Sequence, residues 1–505
     1  MRNILKISAA LLVMLVAGCT KDYLNPVPQT SLSDLSVFQN KDRIVAQVNG
    51  MYAAVKSGWY LGGRYQVTGE YKGDNFIPLS NNAYVSFNTW NDVVGPTTQE
   101  VNYIWQQIYA SINVINCFMD GLKSNWDGGN LTGIITQDEY NQYISEGLAL
   151  RAMCYFDLIR LYAKPYFQNN GDNPGVPLRI QAEKGSANNQ LAPSKVSEVY
   201  TQILADLNTA EPLAITDYDD ATLNTTRIHK NTIVALKVRV MLTKGDWPGV
   251  VTESAKLVNS ATPPFKTPSG VVDNELNPDY TKIWTNYTSA ESIFSLPNTA
   301  INNGGGQSAI TWYFSKDSGE SAFLIDSVNY KLSGTSIFVT SVYSLMDPTD
   351  VRRSSMAKVT VAGQPNEYFI TKFTHFLTLE DWCPILRYSE VLLSRAEALA
   401  HTTTWPSAEA IALLNAVRTR SFTTGAYAAG DFADATAFEA ACLKERDFEF
   451  LGEGMRSFDL QRLGMDIPGK PGLVQGDVLP IPASGTDYYW PIPSSETAVN
   501  KLAGK

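Results

Sequence analysis

The sequence predicts a mainly α fold: helix pairs stacked into a tetratricopeptide-like, superhelical scaffold, with a loop-rich, β-poor side. Three observations predict it. Apolar residues recur every three or four positions over long stretches before residue 260 and after residue 384. Turn residues such as Gly245-Asp246-Trp247-Pro248 separate successive helical stretches, as in helix hairpins. Two intervening stretches carry no long period: 57–97 is rich in Gly and Asn and studded with aromatic residues, and 260–384 is rich in Gly, Asn, Ser and Pro.

The first helix is predicted over Asp42–Lys56, where Ile44, Val48, Met51, Tyr52 and Val55 share a face. Ser57–Gly95 then reads as irregular. It carries Trp59, Tyr60, Tyr65, Tyr71, Phe76, Tyr84, Phe87 and Trp90 among glycines and asparagines. Thr98–Lys123 is a long amphipathic helix through Val101, Ile104, Trp105, Ile108, Ile112 and Ile115. Gln137–Ala163 is another, ended by Pro165. Pro193-Ser194 opens a third, through Val199, Ile203, Leu207 and Ala210. Asn231–Lys244 and Pro248–Asn259 form a pair. Short β-like runs occur at Glu291–Leu296 and Lys358–Val361. Helices resume at Ile385–Ala400, Ser407–Arg420 and Asp434–Gly464, the last interrupted at Gly452 and Gly454. Residues 465–505 are proline-rich and read as extended.

Composition removes several classes. The net charge of the 505-residue chain is −10. With Arg2 and Lys6 of the leader removed it is −12. There is no Lys/Arg cluster, so nucleic acid and anionic lipid are not expected partners. At the amino terminus, Arg2 and Lys6 precede an apolar run, Ile7–Gly18, too short to span a bilayer. Val16-Ala17-Gly18-Cys19 resembles a bacterial lipobox, which implies lipidation of Cys19. A chain so modified is anchored to a membrane rather than spanning it. Cys117, Cys154, Cys383 and Cys442 have neither CxxC spacing nor a nearby histidine and read as buried, inert thiols. The histidines are three, His229, His375 and His401, and far apart in sequence, so no metal site is expected. No cofactor is expected either. Asp217, Asp219 and Asp220 resemble the start of a calcium loop, but Thr222 and Ile228 stand where glycine and glutamate are needed.

Charge is patterned over Glu445–Gly464. Glu445, Glu449, Glu453, Arg456, Asp459 and Arg462 recur at helical spacing beside Phe448, Leu451, Met455 and Phe458. These acids have two readings: a glycosidase-like pair, with Glu449 and Glu453 doing the chemistry, or an ion network holding helices together. The arginines within helical reach favour the network. No G-x-x-x-x-G-K-[ST], H-E-x-x-H or G-x-S-x-G motif is present.

The same stretch resembles the carboxy-terminal signature of the SusD/RagB-like nutrient-binding lipoproteins, through Glu445-Arg446, Glu449-Phe450, Glu453-Gly454, Arg456, Asp459-Leu460 and Arg462. Further matches follow in the family's order. They include Arg151-Ala152 with Tyr155 and Leu158, Gly175-Val176-Pro177-Leu178, Arg387-Tyr388 with Glu390, and Trp490-Pro491-Ile492-Pro493. The resemblance implies a signal at 1–18, a lipid-anchored tether at 19–40, and a SusD-like domain at 41–505. Its helical scaffold would occupy about 41–56, 98–259 and 385–464, with ligand-binding segments at about 57–97 and 260–384. It further implies a non-catalytic protein on the outer-membrane surface. Such a protein would bind oligosaccharides, or peptides as RagB-type members do, and deliver them to a SusC-like TonB-dependent transporter. A glycoside hydrolase and a scaffold that binds protein alone are the competing readings.

A glycan site needs flat apolar faces for sugar C–H surfaces and polar groups for hydroxyls. Trp90, beside Asn88, is the expected first platform, with Tyr84 and Asp74 nearby in sequence. Trp312-Tyr313, after the Asn302-Asn303-Gly304-Gly305-Gly306 run, is the expected second. Arg387 has two readings, reaching a groove or pairing helices. Trp59 and Tyr60 read as core.

Overall fold

The computed structural model describes residues 37–82, 86–318, 321–325, 330–359, 367–472 and 476–504. Cys19 and Tyr84 lie outside these residues. Helix α1 (Lys41–Val55) begins at Asn40, whose side chain accepts from the Asp42 amide at 2.7 Å. It buries Ile44, Val48, Met51, Tyr52 and Val55, the predicted face. A short helix, α2 (Arg64–Tyr71), follows inside a stretch read as irregular. Its side chains are buried on every side, so it lacks the one-faced periodicity that reveals a surface helix.

The long helices α3 (Gln99–Asp127) and α4 (Gln137–Tyr162) pack together. α4 starts in a capping box: Thr136 Oγ1 accepts from the Glu139 amide at 3.2 Å, and Glu139 accepts from the Thr136 amide at 2.9 Å. α5 (Val196–Ala210) lies on α4, and Arg151 joins them by a two-pronged pair to Asp206 at 2.7 and 2.8 Å. α6 (Lys230–Lys244) ends at Gly245, left-handed at φ 78°, and Asp246 caps α7 (Trp247–Ser254). α8 (Tyr388–Thr402) packs on α7, on α9 (Ala408–Ser421) and on α10 (Ala435–Glu449). The chain breaks at Gly452 and Gly454, both at positive φ, before α11 (Arg456–Arg462).

The strands are few and short. β1 (Ile77–Pro78), β3 (Ala322–Ile325), β7 (Glu367–Ile370) and β6 (Met356–Val359) form one antiparallel sheet in that order. β2 (Ser292–Leu296) pairs with β8 (Cys383–Arg387). β4 (Tyr330–Lys331) pairs with β5 (Phe338–Val339). The β2–β8 pairing corrects the predicted start of a helix at Ile385: Ile385–Arg387 are strand, and the helix begins at Tyr388. One apolar cluster runs from Val37 to Trp490 and joins the helices to the irregular segments. Cys154, Cys383 and Cys442 are buried within it, and burial pushes the Cys383 thiol up to about 12. Among the described residues, no helix is long and apolar enough to cross a membrane.

α2 meets the turn before α11 at backbone distance. A Cβ on Gly454 would lie 2.6 Å from Gln66 Cα, and one on Gly69 would lie 2.2 Å from the Gly454 carbonyl. Glu70 seals the contact: Oε1 accepts from the amides of Gly454 at 2.7 Å and Met455 at 3.1 Å. Burial raises this carboxyl from 4.5 to about 8. The folded-state value lies above the ordinary one, so its contribution is complete below that ordinary value and is lost as pH rises through the folded one. Glu70→Gln keeps the acceptor and cannot ionise. Its melting temperature should match the wild type near pH ~5 and exceed it increasingly toward pH ~9. Parallel melting curves across that range would disprove this assignment. Gly454→Ala should destabilise by about 3 kcal/mol or more in denaturant titration, from positive φ plus backbone overlap.

Candidate ligand-binding site

The Glu445–Gly464 stretch forms the interior of an ion network. Arg387 donates to Glu453 at 2.8 and 2.9 Å and to Glu449 at 2.9 Å, and also contacts Glu291. Arg420 pairs with Glu291 at 2.6 Å and with Glu449. Arg352 binds Asp350 at 2.6 Å, Glu445 and Glu449. Lys372 binds Glu453 at 2.8 Å, and Arg418 binds Glu445 at 3.0 Å. The cations Arg352, Lys372, Arg387, Arg418 and Arg420 are matched in number by Asp350, Glu291, Glu445, Glu449 and Glu453. Burial alone would raise the Glu449 carboxyl; Arg420, Arg387 and Arg352 outweigh it and hold it well below the usual range.

This placement corrects two expectations. Arg387 does not reach a groove: it is 3% exposed, and its donors are committed to the network. Glu449 has no exposed surface, so it does not face solvent as a glycosidase carboxylate would.

Trp90 is corrected as well. It is 1% exposed, Nε1 donates to the Phe76 carbonyl at 2.8 Å, and the ring stacks on Phe87 at 5.7 Å. Its short turn is tied to α3 through Glu100, which accepts from the Thr89 amide at 2.9 Å and hydroxyl at 3.0 Å. Asn88 faces the same carboxylate at 3.4 Å. Asp74 is a partner of Arg456, at 2.6 and 3.0 Å, rather than a free acceptor. Tyr313 is fully buried and its hydroxyl donates to the Gln307 carbonyl at 2.6 Å. The expected first platform is therefore part of the core, and Tyr84 lies outside the described residues.

Trp312 is placed differently. It is half-buried on a short helical turn, Ile310–Phe314, and its ring lies 5.3 Å from that of Phe376. A Cβ on Gly306 would meet the indole at 3.2 Å, which explains the small residue in that loop. The 297–309 loop is clamped to the first irregular segment. Lys56 donates to the carbonyls of Pro297 at 2.8 Å and Asn302 at 3.0 Å, and Arg64 donates to that of Gln307 at 2.9 Å. The Arg64 guanidinium lies 3.3 Å over the half-buried Trp59 ring, which meets Tyr103 edge-on at 4.7 Å.

The 374–382 stretch supplies residues that sequence reasoning missed. Asn303 Nδ2 contacts the Thr378 carbonyl at 3.4 Å, and Glu380 accepts from the Ala300 amide at 3.1 Å. Phe376 covers Trp312, and the neighbouring His375 bonds Asp381 at 2.8 Å. Tyr287 donates to the same carboxylate at 3.0 Å and lies flat on Trp382, 5.1 Å between centroids and 8° between planes. Ile301 and Leu377 are 98% and 94% exposed at the tips of these loops. The loops thus carry three groups of half-buried aromatics, at Trp59, at Trp312–Phe376 and at Tyr287–Trp382, with polar groups beside them. No local signal in 260–384 announced them: Trp312 meets Phe376, and Tyr287 meets Trp382, across long stretches of sequence.

A separate cleft of about 610 Å³ opens on the helical side, lined by Val45, Asn141, Tyr143, Ile215, Tyr218 and Arg227 among others. At its floor Arg227 binds Glu146 at 2.7 and 2.8 Å.

Two family models match the sequence. One, described as the SusD family, covers residues 344–503; the other, starch-binding associating with outer membrane, covers residues 22–242. The chain belongs to the SusD/RagB-like family. The SusD-like protein P2 of Formosa agariphila is 25% identical, over 98% of this chain and 97% of that protein. The crystal structure of a SusD superfamily protein from Bacteroides fragilis is 29% identical, with a TM-score of 0.77 over 93% of this chain and all (100%) of that one. A laminarin-binding SusD-like protein shares the fold, at 21% identity and a TM-score of 0.69 over 92% of this chain and 98% of that one. The acids and arginines of the Glu445–Gly464 stretch are thus part of the interior network, and the loop-rich side carries the half-buried aromatics.

Glu449→Gln leaves three buried arginines short of a carboxylate. It should destabilise this SusD-like protein by about 3–5 kcal/mol, read as a lower denaturant midpoint. An unchanged midpoint would remove the network's structural role.

Proposed function

We propose that this protein is a cell-surface, lipid-anchored member of the SusD/RagB-like family that binds oligosaccharides without cleaving them. We further propose that it passes them to a SusC-like, TonB-dependent β-barrel transporter in the outer membrane. The observation that carries the binding step is the aromatic surface from Trp312–Phe376 to Tyr287–Trp382. A sugar presents a C–H face and a fringe of hydroxyls, and this surface offers flat rings beside His375 and side-chain and main-chain polar groups. Each ring that covers a sugar contributes on the order of 1–2 kcal/mol by area. Two such contacts with a few hydrogen bonds give roughly micromolar to millimolar binding.

The similarity to a laminarin-binding protein and the starch-binding description of the matching family model support a glycan as ligand. The same description supports the outer-membrane surface as the location. The anchor rests on the lipobox at Val16–Cys19. The non-catalytic reading is supported by the commitment of Glu449 and Glu453 to buried cations.

Calorimetric titration with soluble oligosaccharides from laminarin and starch tests the reading. Trp312→Ala and Trp382→Ala should each weaken binding about tenfold, the loss of one ring contact, with melting temperatures close to wild type. Trp90→Ala should instead unfold the protein at a lower temperature, by about 3–5 kcal/mol, as a core deletion does. Binding indifferent to both surface tryptophans, or release of sugars on incubation, would overturn the proposal.

A further inference from the structure

His375 stands out within this surface because its orientation is fixed from behind. Asp381 is 1% exposed and accepts three hydrogen bonds: from His375 Nδ1 at 2.8 Å, the His375 amide at 2.8 Å and the Tyr287 hydroxyl at 3.0 Å. No lysine or arginine among the described residues pairs with this carboxylate; its side-chain partners are His375 and Tyr287. Burial, then Asp381, push the Tyr287 hydroxyl well above its ordinary range, so Tyr287 remains a neutral donor. The Asp381 carbonyl is itself held by Asn298 Nδ2 at 2.8 Å, which ties the dyad to the loop beside β2.

A neutral imidazole carries one proton, so one nitrogen donates and the other accepts. Nδ1 faces the Asp381 carboxyl oxygen at 2.8 Å, so in the neutral ring the proton sits on Nδ1. Nε2 is then the lone-pair nitrogen. The side chain is 47% exposed, and among the described residues Nε2 has no hydrogen-bond partner. No serine, threonine or cysteine of the described residues bonds it, so the nucleophile of a hydrolytic triad is missing. What the dyad offers is a rigid, outward-facing acceptor next to the Tyr287–Trp382 stack.

Resting on the proposed glycan-binding reading, we infer that His375 is the hydroxyl-reading residue of this site. Its Nε2 accepts a hydrogen bond from a ring hydroxyl of a neutral saccharide lying along Tyr287 and Trp382. Asp381 is the positioning residue that selects the tautomer. Carbohydrates whose recognised group is a carboxylate or sulfate have no proton to give this nitrogen and are disfavoured, in line with the acidity of the chain.

The full mature chain, labelled with ¹⁵N at its histidines, tests this with oligosaccharides from laminarin and from starch as probes. The free protein should show His375 protonated at Nδ1 and bare at Nε2, and the Nε2 resonance should move on addition of the bound oligosaccharide. His375→Asn keeps a donor for Asp381 but loses Nε2; it should weaken binding about tenfold, the scale of one lost hydrogen bond. Asp381→Asn keeps one acceptor oxygen, for the His375 amide, and places an NH2 donor opposite Nδ1, which should shift the proton to Nε2 and weaken binding by a similar factor. Wild-type binding with an unmoved His375 Nε2, or wild-type affinity in His375→Asn, would overturn the inference while leaving the aromatic site standing. Tighter binding of a uronate or sulfated oligosaccharide than of the neutral probes would also overturn it. No binding of any probe, or binding insensitive to Trp382→Ala, would overturn the glycan-binding reading and this inference with it.

Discussion

The buried charge network around Glu449 and Arg387 is the constraint on which the rest of the molecule depends. Its members come from Glu291 just before β2, Arg387 at the end of β8, Asp350, Arg352 and Lys372, helix α9, helix α10 and Glu453 in the turn that follows it. An unmatched charge at any of these places would carry a desolvation cost of several kcal/mol. The described network residues of 260–384, Glu291, Asp350, Arg352 and Lys372, are therefore held in one arrangement against the helices, although the strands around them are short. A hydrophobic contact would tolerate sliding between these elements. Fork-shaped arginine–carboxylate pairs do not, because both distance and angle must be met.

From that anchor the ligand-facing loops follow in order. The network fixes Arg387, the last residue of β8, and thus β2 beside it. Loops at the far end of this strand pair carry Asp381 and Trp382 on one side and Asn298 on the other, cross-linked through the Asp381 carbonyl. Lys56 and Arg64 then tie the 297–309 loop to the first irregular segment. Trp312 is held beside Gly306 and Phe376 as a consequence. A surface built this way is largely preformed, which limits the ordering cost of binding a polyhydroxylated ligand.

Legibility in the sequence followed the physics of each element. Long amphipathic helices such as Gln99–Asp127 and Gln137–Tyr162 read within a few residues, because a periodic apolar face and a cap are local features. The structural role of the Glu445–Arg462 stretch was legible in its density of charge, and Arg462 does pair with Asp459 three positions before it. The cations of Glu445 and Glu449, however, are Arg352, Arg387, Arg418 and Arg420, which no local spacing announces. The fate of individual aromatics was not. Trp90, among Asn88, Thr89 and Asn91, fills the core, whereas Trp312, between Thr311 and Tyr313, is only half-buried. The difference lies in Phe76, Phe87 and Glu100 around Trp90, contacts that periodicity does not encode. Tyr287 and Trp382 meet across a pairing of distant segments, and nothing local to either residue announces the stack. Arg64–Tyr71 escaped notice because it is buried on all faces.

The most direct test of the account is a crystal structure of the protein bound to an oligosaccharide from laminarin or starch. The account predicts sugar rings against Trp312–Phe376 and Tyr287–Trp382, with a hydroxyl at His375 and the charge network unmoved. Sugar bound instead in the 610 Å³ cleft beside Tyr143, Tyr218 and Arg227, with the aromatic surface bare, would contradict it.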